Sequence, residues 1–322
     1  MFEKMLLSFG IGLGLTLIMI PAAIPVLKKL KFGQSIRKEG PASHLVKEGT
    51  PNMGGIFFIA ASLAAALIVE PGAFFNIDFW VVVMAYVGYG LIGFIDDFII
   101  DIRHNNEGLK PRYKFLLQLI LAILFYLIYK NVTNSYIIIP FFNKSFDLGW
   151  FYIVVVIIMF TGESNAVNLA DGLDGLCAGL TIEALAPFIY FCFRIHEYDL
   201  AILLIGVIGS LFGYLRYNLH PAKIFMGDTG SLALGGLLAA IAMVTKEEIA
   251  LILIGGVFLI EVLSVIIQIT YFKLTHGKRF FKMAPIHHHF ELSGYKETTV
   301  VWMFWGAGAV LSAIGFIMGA MM

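Results

Sequence analysis

Asn165-Ala166-Val167-Asn168-Leu169-Ala170-Asp171-Gly172-Leu173-Asp174-Gly175 is a polar stretch between two long apolar runs, 151–160 and 176–193. With Glu163 it places three acids within twelve residues and no Lys or Arg among them. As a helix, it would carry Asn165, Asn168, Asp171 and Asp174 on one drifting face, since they recur every third residue. That face repels itself unless a cation sits against it. As a solvated turn between helices, Gly172 and Gly175 are the residues that bend it. The surrounding chain has to decide between the two.

The flanks point to a membrane. The chain is 59% hydrophobic with a mean hydropathy of +0.87, above the roughly 45–50% of soluble proteins. Runs of about 20 apolar residues, the length that crosses a bilayer as a helix, recur along it. Ten spans are expected, at 5–27, 53–70, 79–100, 114–130, 148–163, 176–193, 200–217, 230–245, 249–274 and 298–321. The connections are too short for a separate soluble domain. The expectation is an all-α polytopic fold, one integral membrane domain over 1–322. Cys177 and Cys192 have no disulfide or metal spacing and read as core residues.

Charge sets the orientation. Lys4 stands nearly alone before the first span, whereas Lys28, Lys29 and Lys31 follow it, so this is a retained helix with its N-terminus outside. With ten spans, both termini are then outside. Of the 22 Lys and Arg, five fall at outside ends (Lys4, Lys130, Lys144, Arg194 and Lys246) and the remaining seventeen inside. That is the positive-inside bias, hidden by a net charge of zero.

The same parity brings the unusual polar residues to the cytoplasmic side. Asp96 and Asp97 end the third span, bracketed by Ile95 and Phe98-Ile99-Ile100. A charge at the bilayer centre costs at least roughly 2.5–3.5 kcal/mol, and adjacent carboxylates repel unless a cation or proton lies between them. Asp228 precedes a Gly-rich helix start, where an N-cap and a metal ligand are compatible roles. Lys47 and Gly49-Thr50-Pro51-Asn52-Met53-Gly54-Gly55 lie where a helix begins and suggest phosphate binding. A 136–147 hairpin is expected outside, without chemistry. Glu261 and Gln268 share a helical face and read as structural hydrogen-bonding groups. His287, His288 and His289 point in divergent directions on most backbones, which favours polar recognition over zinc. Carboxylates and amides without thiols suit Mg²⁺ or Mn²⁺, and a metal beside Lys, Arg and His is the equipment of phosphoryl transfer. A transporter would more naturally carry its charges at the bilayer midplane.

These motifs resemble the phospho-N-acetylmuramoyl-pentapeptide transferase family, within the polyprenyl-phosphate N-acetylhexosamine-1-phosphate transferases. The resemblance runs over nearly the whole chain. It rests on the Gly49–Gly55 run, Phe94-Ile95-Asp96-Asp97, the 165–175 stretch, Pro221-Ala222…Phe225-Met226-Gly227-Asp228-Thr229-Gly230-Ser231 and Met283-Ala284-Pro285-Ile286-His287-His288-His289-Phe290-Glu291. The histidine motif points to the muramoyl-pentapeptide branch. Asn52 departs from the family's usual Thr. The resemblance implies transfer of phospho-N-acetylmuramoyl-pentapeptide from its UDP carrier to undecaprenyl phosphate, giving lipid I and UMP with Mg²⁺ in peptidoglycan synthesis. It implies a multi-pass enzyme of the bacterial inner (plasma) membrane, with the bilayer and a second copy of the chain as partners and no nucleic acid. By resemblance, Asp228 is the Mg²⁺ ligand, and Asp96, Asp97, Asp228 and His288 are catalytic, with Asp96 as base or activator of the lipid phosphate. Lys47, Asn52, Lys114, Asn168, Asp171, Asp174, Asn218, Phe225, His287 and His289 are expected to bind substrate.

Overall fold

The computed structural model describes residues 1–30, 33, 47, 49–103, 108–130, 133–140 and 144–321, with the backbone alone at 103. Apart from Gly33, the basic stretch 31–46 of the first expected inside connection lies outside the described residues.

The helices are α1 Phe2–Lys29, α2 Gly55–Val69, α3 Ile77–Arg103, α4 Pro111–Tyr129, α5 Tyr152–Ala170, α6 Leu176–Arg194, α7 Tyr198–Asn218, α8 Gly227–Thr245, α9 Glu248–Ile254, α10 Gly256–Leu274, α11 Ile286–Glu291 and α12 Glu297–Ala320. Among the described residues nine helical spans are long and apolar enough to cross a membrane, and α2 is a shorter apolar helix. Together they match the ten expected spans. The expected hairpin forms as β1 Tyr136–Ile139 and β2 Lys144–Asp147, antiparallel with Tyr136 opposite Asp147.

Helix α8 is the axis of the bundle. Every residue from Thr229 to Thr245 is buried, and α3 and α5 pack along it while α1 packs on α7. Its contact faces are rich in Gly and Ala. Lipid supplies no hydrophobic drive for helix association, so close backbone approach through small residues has to provide the contact. Helix α10 is the opposite case, with Leu259, Ile260, Leu263, Ile266 and Ile267 exposed.

Two expectations need correction. The ninth span is not one helix, because it breaks at Gly255-Gly256 into α9 and α10. Consecutive glycines are the weakest helix formers short of proline, and α9 begins among polar groups at the outer end. The fifth span runs past 163 to Ala170. The opening stretch is therefore helical at Asn165 and Asn168 and a turn from Asp171 to Gly175.

Polar groups collect at the two ends of the bundle, as the parity requires. At one end Lys4 pairs with Glu70 at 2.5 Å, Asn76 donates to Glu197 and Asp199, and Arg194 pairs with Glu247 and donates to the Gly319 carbonyl at 2.6 Å. The other end holds Asp96, Asp97, Lys114, Asn168, Asp174 and Asp228.

Candidate active site

Asp97 is buried and holds the start of α8. Its Oδ1 accepts the backbone N–H of Asp228 at 3.1 Å and the Asn52 amide at 3.1 Å. Its Oδ2 accepts the Thr229 N–H at 2.9 Å and the Thr229 hydroxyl at 2.6 Å. A carboxylate on free N–H groups at a helix N-terminus is favoured by both hydrogen bonding and the helix dipole. Helix α3 reaches this position only because Gly93 has no side chain. A Cβ there would overlap the Asp228 carbonyl.

With α8 held in this way, Asp228 projects into a cradle. Lys114 from α4 is ion-paired with Asp228 and lies 3.6 Å from Asp96 Oδ2. The Leu109 N–H donates to Asp96 Oδ1 at 2.6 Å. Asn168 from α5 donates to Asp228 Oδ1 at 2.7 Å and to the Ser231 hydroxyl at 2.9 Å. Two carboxylates from different helices thus converge on one cation. Hard oxygen donors of this kind suit Mg²⁺, and Asp228 and Asp96, with Asn168 orienting Asp228, are the residues that fit it. Phe225 stands three residues before Asp228 and is half-buried.

The 171–175 turn lies beside the cradle. Burial, with Asp228, Asp97 and Asp174 nearby, pushes the Asp171 carboxyl well above the ordinary carboxylate range, and Lys47 pulls the other way. Asp174 is buried in a polar knot. Lys47 bridges Asp174 Oδ1 at 2.7 Å and Glu297 Oε1 at 2.6 Å. His220 Nδ1 lies 3.0 Å from Asp174 Oδ2 and 3.5 Å from Glu297 Oε2. The backbone N–H of Asp174 donates to Glu297 at 2.8 Å, and that of Ala222 to Asp174 at 3.0 Å. Asp174, His220 and Glu297 have the spacing of a metal site, but Lys47 and the imidazole already satisfy the two carboxylates.

The three histidines take three different partners. His287 Nδ1 faces Glu261 Oε1 at 3.0 Å, His288 Nδ1 faces Glu291 Oε2 at 2.9 Å, and His289 Nδ1 accepts the Lys282 N–H at 3.1 Å. They do not converge on one ion.

Several of the residues expected to bind substrate are buried and hydrogen-bonded within the protein. Asn52 is buried behind Asp97 and donates to it. Asn218 accepts the Gly175 N–H at 3.0 Å and donates to the Ile224 carbonyl at 2.9 Å, so both ends of its amide are used in the frame. His287 is fully buried. The end of the Gly49–Gly55 run has its backbone N–H groups already in use. The Gly54 and Gly55 N–H groups donate to the Phe225 and Met226 carbonyls at 2.7 and 3.0 Å, and those of Ile56 and Phe57 to Met53 and Gly54. With the Phe225 N–H on the Pro51 carbonyl, this run clamps the irregular segment leading into Asp228. The sequence does not single out Gly93, His220 or Glu297. Glu297 is an acid at a helix start, as many acids are, and His220 immediately precedes the Pro221-Ala222 motif without a feature that sets it apart.

A polytopic helical bundle with such a cradle at one end is the setting of a membrane-embedded glycosyl transferase, and residues 79–246 match the model of Glycosyl transferase family 4. Proteins named phospho-N-acetylmuramoyl-pentapeptide-transferase are similar over almost the full length. That of Halalkalibacterium halodurans is 48% identical, covering 98% of this chain and 97% of the relative. That of Bacillus subtilis is 48% identical, covering 98% of each. That of Geobacillus kaustophilus is 45% identical, covering 97% of each. The chain belongs to the phospho-N-acetylmuramoyl-pentapeptide-transferase family of enzymes.

Proposed function

We propose that this enzyme transfers phospho-N-acetylmuramoyl-pentapeptide from UDP-N-acetylmuramoyl-pentapeptide to undecaprenyl phosphate at the cytoplasmic face of a bacterial plasma membrane, giving lipid I and UMP with Mg²⁺. The bilayer and a second copy of the chain belong to the same reading. The observation that carries it is the convergence of Asp96 and Asp228 on the Lys114 ammonium at one end of a membrane bundle.

The chemistry follows from these positions. A lipid phosphate oxygen attacks the phosphorus that bears the sugar. A new P–O–P linkage forms, the bond to the UMP oxygen breaks, and UMP leaves with the electron pair. Both reactants are polyanions, so their encounter needs positive charge at the reacting centre. Lys114 supplies one such charge. Asp228, backed by Asn168, and Asp96 would hold Mg²⁺, which supplies Lewis-acid neutralisation of the pyrophosphate. Asp96 takes any proton left on the lipid phosphate. Asp97 keeps Asp228 in place through the α8 backbone, and the half-buried Phe225 ring offers a stacking face for uracil.

The test is UMP release by the purified protein with undecaprenyl phosphate and Mg²⁺, comparing UDP-MurNAc-pentapeptide with plain UDP-N-acetylhexosamine. Release is expected only with the peptide-bearing donor. Equal use of the plain sugar nucleotide would move the chain to the peptide-independent branch. Release from neither would overturn the transferase reading.

A further inference from the structure

The proposed transfer asks the cradle for two cations, an ammonium and Mg²⁺, yet its oxygens are divided so that both draw on the same atoms. Asp96 and Asp228 each commit one oxygen to the frame. Asp96 Oδ1 accepts the Leu109 N–H at 2.6 Å, and Asp228 Oδ1 accepts the Asn168 amide at 2.7 Å. The Oδ2 atoms of both acids turn to Lys114, which is ion-paired with Asp228 Oδ2 and lies 3.6 Å from Asp96 Oδ2. Asp97 offers no alternative, because each of its oxygens already accepts two hydrogen bonds. A divalent ion that bridges α3 and α8 therefore competes with Lys114 for the two Oδ2 atoms. Two carboxylates facing one ammonium also leave a negative charge on the pair, which favours the ion of higher charge. Lys114 is the partner that can move. Its charge sits on a flexible four-carbon stem and its side chain is partly exposed, whereas the acids are fixed by the bonds above.

We infer that Lys114 and Mg²⁺ are alternative partners of the Asp96 and Asp228 Oδ2 atoms, and that their exchange is what makes the ammonium available to substrate. With Mg²⁺ on the acids, Lys114 is displaced and repelled by the ion beside it. The nearest place for its charge is then a phosphate of the sugar nucleotide. The inference rests on the transferase reading of the cradle and adds a sequence of events to it. Lys114 first neutralises the acid pair, and it turns to phosphate only once the metal is in place. Metal and nucleotide thereby support each other's binding. A phosphate that holds Lys114 away from the acids removes the competitor of Mg²⁺, and the coupling is equal in both directions.

Two measurements on the purified full chain test the exchange without reading turnover. The first is the reactivity of the Lys114 amine toward reductive methylation, followed by mass spectrometry with the exposed Lys223 as internal reference. With divalent ions chelated, the ammonium is paired and should react slowly. Mg²⁺ should raise its reactivity several-fold, and Mg²⁺ together with UMP should lower it again. In Asp228→Asn, Mg²⁺ should leave it unchanged. The second is the Kd for Mg²⁺ by titration calorimetry. Lys114→Met should bind Mg²⁺ roughly ten-fold more tightly than the parent, because a competing charge at the same oxygens has gone, and should bind UMP more weakly. A site that Lys114 only props in shape would move the other way. If Lys114→Met does not fold, the reactivity of the parent decides by itself. Mg²⁺ binding that leaves Lys114 as protected as before overturns the exchange, even beside a tighter Kd in the variant, since removing any nearby positive charge tightens a cation site. Unchanged or weaker Mg²⁺ binding by folded Lys114→Met overturns it as well. Lys114 that stays reactive with Mg²⁺ and UMP both bound overturns its turn to phosphate. A parent that binds no Mg²⁺ overturns the metal reading of the cradle and the exchange with it, whereas binding without a change at Lys114 overturns the exchange alone.

Discussion

The Lys114 ammonium lies between Asp228, with which it is ion-paired, and Asp96, 3.6 Å from its Oδ2. These oxygens already hold one positive charge, and oxygens of this kind suit a divalent cation. Asp228→Asn keeps the side-chain shape, and Asn168 still has an oxygen to donate to. Folding should survive, and UMP release should fall by at least roughly 10²-fold, the scale for losing one electrostatic stabiliser. Binding of Mg²⁺ to the native state should raise the melting temperature of the parent but not of Asp228→Asn. A melting curve of the variant that still rises with Mg²⁺ would place the ion elsewhere.

Asp97 stands beside Asp96 but has a different role. Its oxygens are taken by Asn52, the Asp228 and Thr229 N–H groups and the Thr229 hydroxyl. Asp97→Asn turns one acceptor into a donor facing other donors. Hydrogen bonds to a charged group contribute about 1.5–3 kcal/mol each, so losing part of this set should lower the melting temperature by several degrees and reduce transfer with it. Asp228→Asn should reduce transfer without that thermal loss. Equal melting temperatures for Asp97→Asn and the parent would contradict the structural role.

These two aspartates mark the limit of what the sequence discloses. Asp96, Asp97, Asp171, Asp174 and Asp228 were legible because each interrupts or borders an apolar run, where an unpaired acid is costly. The alternation of Lys and Arg between connections was legible for the same reason, since lipid sorts charge strongly. The direction each polar side chain takes once the helices pack was not legible. Asn52 and Asn218 have the chemistry of substrate contacts, and only packing shows that their amides also bond within the protein, Asn52 to Asp97 and Asn218 to Gly175 and Ile224. Glu297 and Lys47 lie 250 residues apart, so nothing local marks them as partners. The Gly255-Gly256 break could be read only as a low propensity, which an apolar context often overrides.

At the opposite end, Glu247 provides a pH test away from the cradle. Burial pushes its carboxyl up to about 7 from 4.5, against the pull of Arg194 and with the help of Glu248. The folded value exceeds the unfolded one, so the native state holds an extra proton between these two values. Glu247's contribution to stability is therefore greatest below about pH 4.5 and falls as pH rises through about 7. Glu247→Gln mimics the protonated acid at every pH. Its melting temperature in detergent should fall less steeply than the parent's between about pH 5 and pH 8. Parallel slopes for the two proteins would show that Glu247 does not titrate in this range.

The sidedness of the bundle follows from charge, and labelling can measure it. By sequence, seventeen of the 22 Lys and Arg fall in the connections that alternate onto one side, the side of the Asp96 and Asp228 cradle, which the positive-inside rule assigns to the cytoplasm. The two native cysteines, Cys177 and Cys192, are both buried, so a thiol reagent should report an introduced cysteine over little background. Lys223 and Lys282 are exposed near the cradle, and Ser145 is exposed on the hairpin. In intact cells a membrane-impermeant maleimide should label Ser145→Cys and spare Lys223→Cys and Lys282→Cys, which should react only after the membrane is opened. The UDP-linked donor is charged and cannot cross the bilayer unaided, so the cradle must open where that donor is made. Labelling of Lys223→Cys or Lys282→Cys in intact cells would turn the bundle over and separate the cradle from its soluble substrate.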